Sequence, residues 1–151
     1  MAEEKVLIRD FDLYVNTGTL LAPIWTKVNG LHPDMEWSDS PTKADTTDQD
    51  ANGVKTHLVT SHEYKATVKG KRMEDPSDGS RDAGQAEVEA IANAIGPDSI
   101  GQFTIVTPGG VGIEFSASAS VKPFGGGMDD AATWEAELSV SGAPDWDSNW
   151  S

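Results

Sequence analysis

Apolar and polar residues alternate most regularly over 111–122, where Val111, Ile113, Phe115, Ala117, Ala119 and Val121 interleave with Gly112, Glu114, Ser116, Ser118, Ser120 and Lys122. A period of two sustained this long predicts a strand with one apolar face and one small, polar face. Residues 133–141 repeat the pattern, with Trp134, Ala136, Leu138 and Val140 against Glu135, Glu137 and Ser139. β-Branched and aromatic runs predict further strands at 6–15, at 24–28 before the Asn29-Gly30 turn, and at 102–107 before Pro108-Gly109-Gly110. A long strand is expected over 57–72, with Leu58, Tyr64, Ala66 and Val68 opposite Glu63, Lys65, Thr67, Lys69 and Lys71.

The period changes to that of a helix once. Asp82 is a good N-cap, and Gln85 stands where a capping box would return a bond to it. Five alanines between 83 and 94 favour the helix, while Val88, Ile91, Ala92 and Ile95 share one face before Gly96-Pro97 stops it. So short a helix is marginal alone in water and must lie on the flanking strands. The expected fold is therefore mainly β, a small sandwich or barrel with one flanking α-helix.

Residues 34–53 carry Asp34, Glu36, Asp39, Asp45, Asp48 and Asp50 against a single Lys43, and predict a long exposed acidic loop. A loop of this length in a compact domain usually binds something or orders on assembly. Within it, Asp48-Gln-Asp50-Ala-Asn52-Gly53 matches the first half of an EF-hand loop, but Val59 stands where the bidentate Glu belongs, so Asn52-Gly53 reads as a turn rather than a calcium site. The tail, 143–151, holds Trp146 and Trp150 without a core pattern and is expected to dock or stay loose.

At 151 residues the chain fits one domain, 1–151. Its net charge of −14 argues against phosphate or anionic membrane as an adhesive partner, which would need clustered Lys and Arg. The absence of cysteine excludes disulfides, thiolate metal sites and thiol nucleophiles. No leader-like or spanning apolar run occurs near the start, so a soluble chain made in the cytoplasm is expected.

Candidate chemistry is thin. His57 and His62 fall on opposite faces of the expected strand, as do Ser61 and His62, so neither pair forms a metal site or a nucleophile with its base. Gly109-Gly110 and Gly125–Gly127 open no helix and so make no phosphate cradle. No catalytic, cofactor-binding or metal-binding residues are assigned, and the chain is not read as an enzyme.

The order of elements resembles that of the major tail proteins, the tail tube subunits of long-tailed bacteriophages. An N-terminal meander leads to an acidic loop containing Asp45-Thr-Thr-Asp48, then a long strand finishing at Gly70 and a helix. A strand turning at Pro108-Gly109-Gly110 follows, then a last strand, Trp134-Glu-Ala-Glu-Leu-Ser-Val-Ser-Gly142. The resemblance implies hexameric rings stacked into a hollow virion tail, assembled in the host bacterial cytoplasm. The inner sheets of six subunits would join into one β-barrel through which DNA passes without specific binding. It further implies that Glu114, Ser116, Ser118, Glu135, Glu137 and Ser139 line the lumen, and that Asp39, Lys43, Asp45, Asp48 and Asp50 lie on a loop bridging rings. The partners implied are the chain itself and the tail's tip, tape measure and terminator proteins, with no cofactor and no membrane. Six copies at −14 would put about −84 on each ring, the sign that repels DNA; Lys65, Lys69 and Lys71 would bring positive charge to the lumen if their face points inward. The inner tube protein of a contractile injection or secretion system shares these features. A carbohydrate-binding β-sandwich is the alternative of another class, with Trp146 and Trp150 as sugar platforms.

Overall fold

A computed structural model describes residues 3–45, 54, 57–128 and 130–149 of the chain. A 3-10 turn, Ile8–Asp10, precedes β1 (Asp12–Asn16) and β2 (Trp25–Lys27). These are followed by β3 (Leu31–Asp39), β4 (Thr42–Asp45), β5 (His57–Ser61), β6 (Tyr64–Lys71) and α1 (Ala83–Asn93). After the helix come β7 (Ile100–Val106), β8 (Val111–Lys122) and β9 (Thr133–Asn149). The protein is mainly β, as its alternation requires. Among the described residues, seven strands form one antiparallel sheet in the order β2-β1-β7-β8-β9-β6-β3, while β4 and β5 pair only with each other.

The sandwich or barrel expected from the sequence takes the form of one curved sheet with α1 on its concave side. Two strands separate β8 from β3, yet Trp37 of β3 meets Phe115 of β8 edge to face at 5.3 Å, which only a rolled sheet allows. Register pairs on the inner face are mostly apolar: Val15 with Phe103, Phe103 with Phe115, Ala119 with Leu138, Leu138 with Ala66 and Ala66 with Trp37. Leu13, Val15, Val68, Phe103, Trp134 and Leu138 are buried there with Val88 and Ile91 of the helix. The twelve-residue run at 111–122 is the strand its period predicts, and Gly110, at a φ of 82°, makes the turn before it.

α1 begins at the expected cap, where Asp82 accepts from the Gln85 N–H at 3.1 Å. The Gln85 side chain does not return to Asp82, so the capping box is not formed. It is fully buried, and its Nε2 donates to the carbonyls of Asn29 and Lys71 at 2.8 Å each while its Oε1 accepts from the Met73 N–H at 3.1 Å. One amide thus ties the helix to the loop after β2 and to the end of β6. Gly84 lets the helix come close to the backbone of Lys27 and Val28, where a Cβ would collide. Val88 and Ile91 pack as expected, but Ile95 lies beyond the last turn and is 93% exposed, because the helix stops at Asn93.

Four further boundaries differ from expectation. The strand expected at 6–15 starts as a 3-10 turn. The expected strand over 57–72 is interrupted at His62 and Glu63, so its two halves belong to different sheets. The expected loop over 34–53 is largely strand where described: Asp34, Glu36 and Asp39 lie on β3 at the sheet margin, and Lys43 and Asp45 lie on β4. The last strand runs on to Asn149, with register shifts between Gly112 and Glu114 and between Glu114 and Ser116, so the segment expected to dock or stay loose is paired with β8.

Candidate functional interface

Among the described residues two surfaces are left largely uncovered by the rest of the subunit: the outer face of β6, β8 and the first half of β9, and the β4–β5 arm. On the outer face, Ser118 lies directly opposite Ser139, Ser116 opposite Ser141, and Glu114 opposite Asp145. Ser120 pairs with Glu137 and Lys122 with Glu135. Glu114, Ser116, Ser118, Glu135, Glu137 and Ser139 therefore share one face, away from the core, as their alternation phase demands. Glu114 is held by the Ser148 hydroxyl, which donates to its Oε1 at 2.8 Å.

β6 extends the same face. Lys69 pairs with Glu135 and Lys65 with Ser139, and Lys65 Nζ reaches Glu137 Oε1 at 3.6 Å. Across β6, β8 and the first half of β9, Lys65, Lys69, Lys71 and Lys122 thus stand among Glu114, Glu135 and Glu137. The acidic excess of the chain is not gathered on this strip, which is a charge-mixed surface rich in serine.

This pairing has a measurable consequence. Glu135 sits in register between Lys69 and Lys122, so Glu135→Lys would align three ammonium groups across adjacent strands. Like charges directly opposite cost roughly 0.2–1 kcal/mol per pair, so a loss of about 1 kcal/mol is expected. The loss should shrink as salt screens the lysines, while Glu135→Gln should be milder. Thermal unfolding at two ionic strengths checks this; a salt-independent loss would mean that packing, not charge, is being read.

The arm leaves the sheet where β3 ends and β6 begins. Its root is fixed by three contacts: the Ser40 N–H donates to the Glu63 carbonyl at 2.8 Å, His62 Nδ1 lies 2.7 Å from Asp39 Oδ2, and the His62 ring stacks on Tyr64 at 5.5 Å with planes 5° apart. Tyr64 in turn packs with Trp37 and Trp146. Beyond the root, β4 and β5 are exposed at every position, and register pairs Lys43 with Val59, Ala44 with Leu58 and Asp45 with His57. Of the five residues expected on an inter-ring loop, Asp39 is at the root and Lys43 and Asp45 are on the arm; Asp48 and Asp50, with the half EF-hand, lie outside the described residues. Sequence reasoning missed that β3 and the arm are separate pieces. The signal available was the spacing of Met35 and Trp37, both on the core face.

Trp146 meets Trp37 and Tyr64 edge on, at 5.5 and 5.6 Å. Trp146 thus joins an aromatic cluster at the arm's root while staying 44% exposed, and Trp150, the other residue expected as a sugar platform, lies outside the described residues. Among the described residues no group of three or more His, Asp or Glu side chains could hold a metal ion, and no helix is long and apolar enough to cross a membrane.

No family profile matches the sequence, and no curated protein matches it either. Solved structures do. One is a chain in the tail of an empty gene transfer agent particle, determined by helical refinement with C6 symmetry, which matches with a TM-score of 0.67 over 97% of this chain and 100% of that one at 14% identity. A second is a chain from the virion of a native gene transfer agent particle, with the same TM-score and coverage at 13% identity. The fold is that of a particle-tail chain. At this identity the shared feature is backbone architecture, and the tail-chain fold here includes the sheet, the helix and nearly the whole chain.

Proposed function

We propose that the protein is a structural subunit of a phage-like particle tail, one that stacks as hexameric rings into a tube. The observation that carries this reading is the tail-chain fold, matched from end to end in a chain of a sixfold tail. Supporting it are the two surfaces that the subunit itself does not cover. A two-stranded ribbon has no core and is at best marginally stable alone in water, so the β4–β5 arm requires a partner.

In this reading the outer face of β6, β8 and β9 lines the channel, with Ser116, Ser118 and Ser139 as neutral lining and the glutamates interleaved with lysines. Such a wall sets its lysines in register beside glutamates rather than in an unbroken cationic track, so DNA would pass without specific binding. The tail's tip, tape measure and terminator proteins are the partners such a tube requires, and the virion tail is its place of action. The role is structural, not enzymatic. The inner tube of a contractile injection system would use the same fold in the same way.

Electron microscopy of the concentrated protein, alone and with tail-tip components as nucleator, tests the reading. Rings or tubes with sixfold symmetry are expected. A chain that stays monomeric under both conditions would overturn it.

A further inference from the structure

Building on the tail-subunit reading, we propose that the β4–β5 arm of one copy seats in the groove at the opposite margin of a second copy's sheet, with Val59 entering it and Lys43 meeting its acidic rim. The groove, of about 550 Å³, lies between the β1–β2 loop, the end of α1 and the start of β7; Leu20, Ile91, Pro97 and Ile100 give it apolar walls, and Glu87 and Asp98 give it negative charge.

The groove is built rather than incidental. Asn16, nearly buried at the end of β1, accepts from the N–H groups of Gly18 and Ile24 at 2.8 and 3.0 Å and donates to the Thr19 carbonyl and to Gln102 Oε1. Thr19 and Ala22 close the tip with a backbone bond and a hydroxyl bond. This bonding holds Leu20 and Leu21 outward, 75% and 99% exposed, at the tip of a tightly bonded loop. Leu20 stands beside Pro97 and Ile100 in the groove wall, where contiguous exposed apolar surface marks a contact site.

The arm has the complementary chemistry. Val59 is 46% exposed and shares its face with its register partner Lys43, with Asp45 and His57 the next pair on that face, so the pair nearer the root presents an apolar residue beside a cation. Position supports the match. Ile100 at the groove registers with Ser118, Ser118 with Ser139, Ser139 with Lys65 and Lys65 with Ser38, one residue short of the arm's root at Asp39 and Tyr64. Arm root and groove therefore lie at the same end of the strands, on opposite sides of the sheet. Copies placed side by side in one orientation bring each arm toward the next copy's groove, a head-to-tail contact that closes when the rotation does.

Because the chain has no cysteine, introduced thiols report this contact alone. Val59→Cys and Ile100→Cys would be made singly, mixed in equal amounts, assembled and oxidised, and compared with each variant alone and with the double variant. The expected result is a disulfide dimer only in the mixture and a ladder of multimers from the double variant, since a disulfide requires Cα atoms within about 7 Å. Assemblies that form without crosslinking, or a double variant that closes within single chains, would overturn the docking and leave the tail-subunit reading standing. Failure of the unsubstituted chain to assemble at all would overturn both.

Discussion

Replacing residues 40–63 by Asn-Gly is expected to leave a folded subunit that forms no tubes. Asp39 and Tyr64 are already register partners at the arm's root, and the Ser40 to Glu63 bond shows the two strands close enough there for a tight connection. Asn-Gly suits the two-residue turn that joins antiparallel strands. Among the described residues the excision removes only exposed ones, together with the His62–Asp39 pair, which is itself half-exposed and contributes at most about 1 kcal/mol. Circular dichroism and thermal unfolding should therefore match the full chain within a few degrees, while electron microscopy shows no tubes at concentrations where the full chain forms them. Normal tubes from the excised chain would remove the arm from the assembly.

The largest effect on folding is expected from Gln85→Leu. Leucine matches the volume but makes none of the bonds to Asn29, Lys71 and Met73, and no water reaches the buried side chain to replace them. Leaving buried polar groups without a partner costs about 1–3 kcal/mol each, so a total near 3 kcal/mol is a restrained expectation. For a domain of this size that lowers the Tm by roughly 6–12 °C. An unchanged Tm would mean that Val88 and Ile91 hold the helix by apolar packing alone.

How legible these features were depended on whether a residue's role was local. The strand at 111–122 and the cap at Asp82 were readable because period and capping are properties of neighbouring residues. Gln85 was placed correctly on the helix and given the wrong partner, since its actual partners lie 56, 14 and 12 residues away along the chain. β3 was hidden by its composition: Pro33 and three acids read as loop, yet a margin strand tolerates proline, and a register shift between Leu31 and Asp34 accommodates it. The tail past Gly142 was hidden by irregular register, which breaks the alternation that would have announced a strand. The outer-face residues were grouped correctly by phase, but their lysine neighbours on β6 could not be assigned without knowing which strand lies beside β9.

The strand order also dictates a sequence of events during synthesis. β7 with β8 and β8 with β9 are hairpin neighbours that can close as soon as they are made, whereas β1 must wait for β7, the better part of a hundred residues later, and β6 for β9. Loop closure of that length is slow compared with hairpin formation. The N-terminal part of the chain thus emerges from the ribosome able to close only the β1–β2 and β4–β5 pairs and, later, β3 on β6, and the C-terminal hairpins are the template onto which these pieces are recruited.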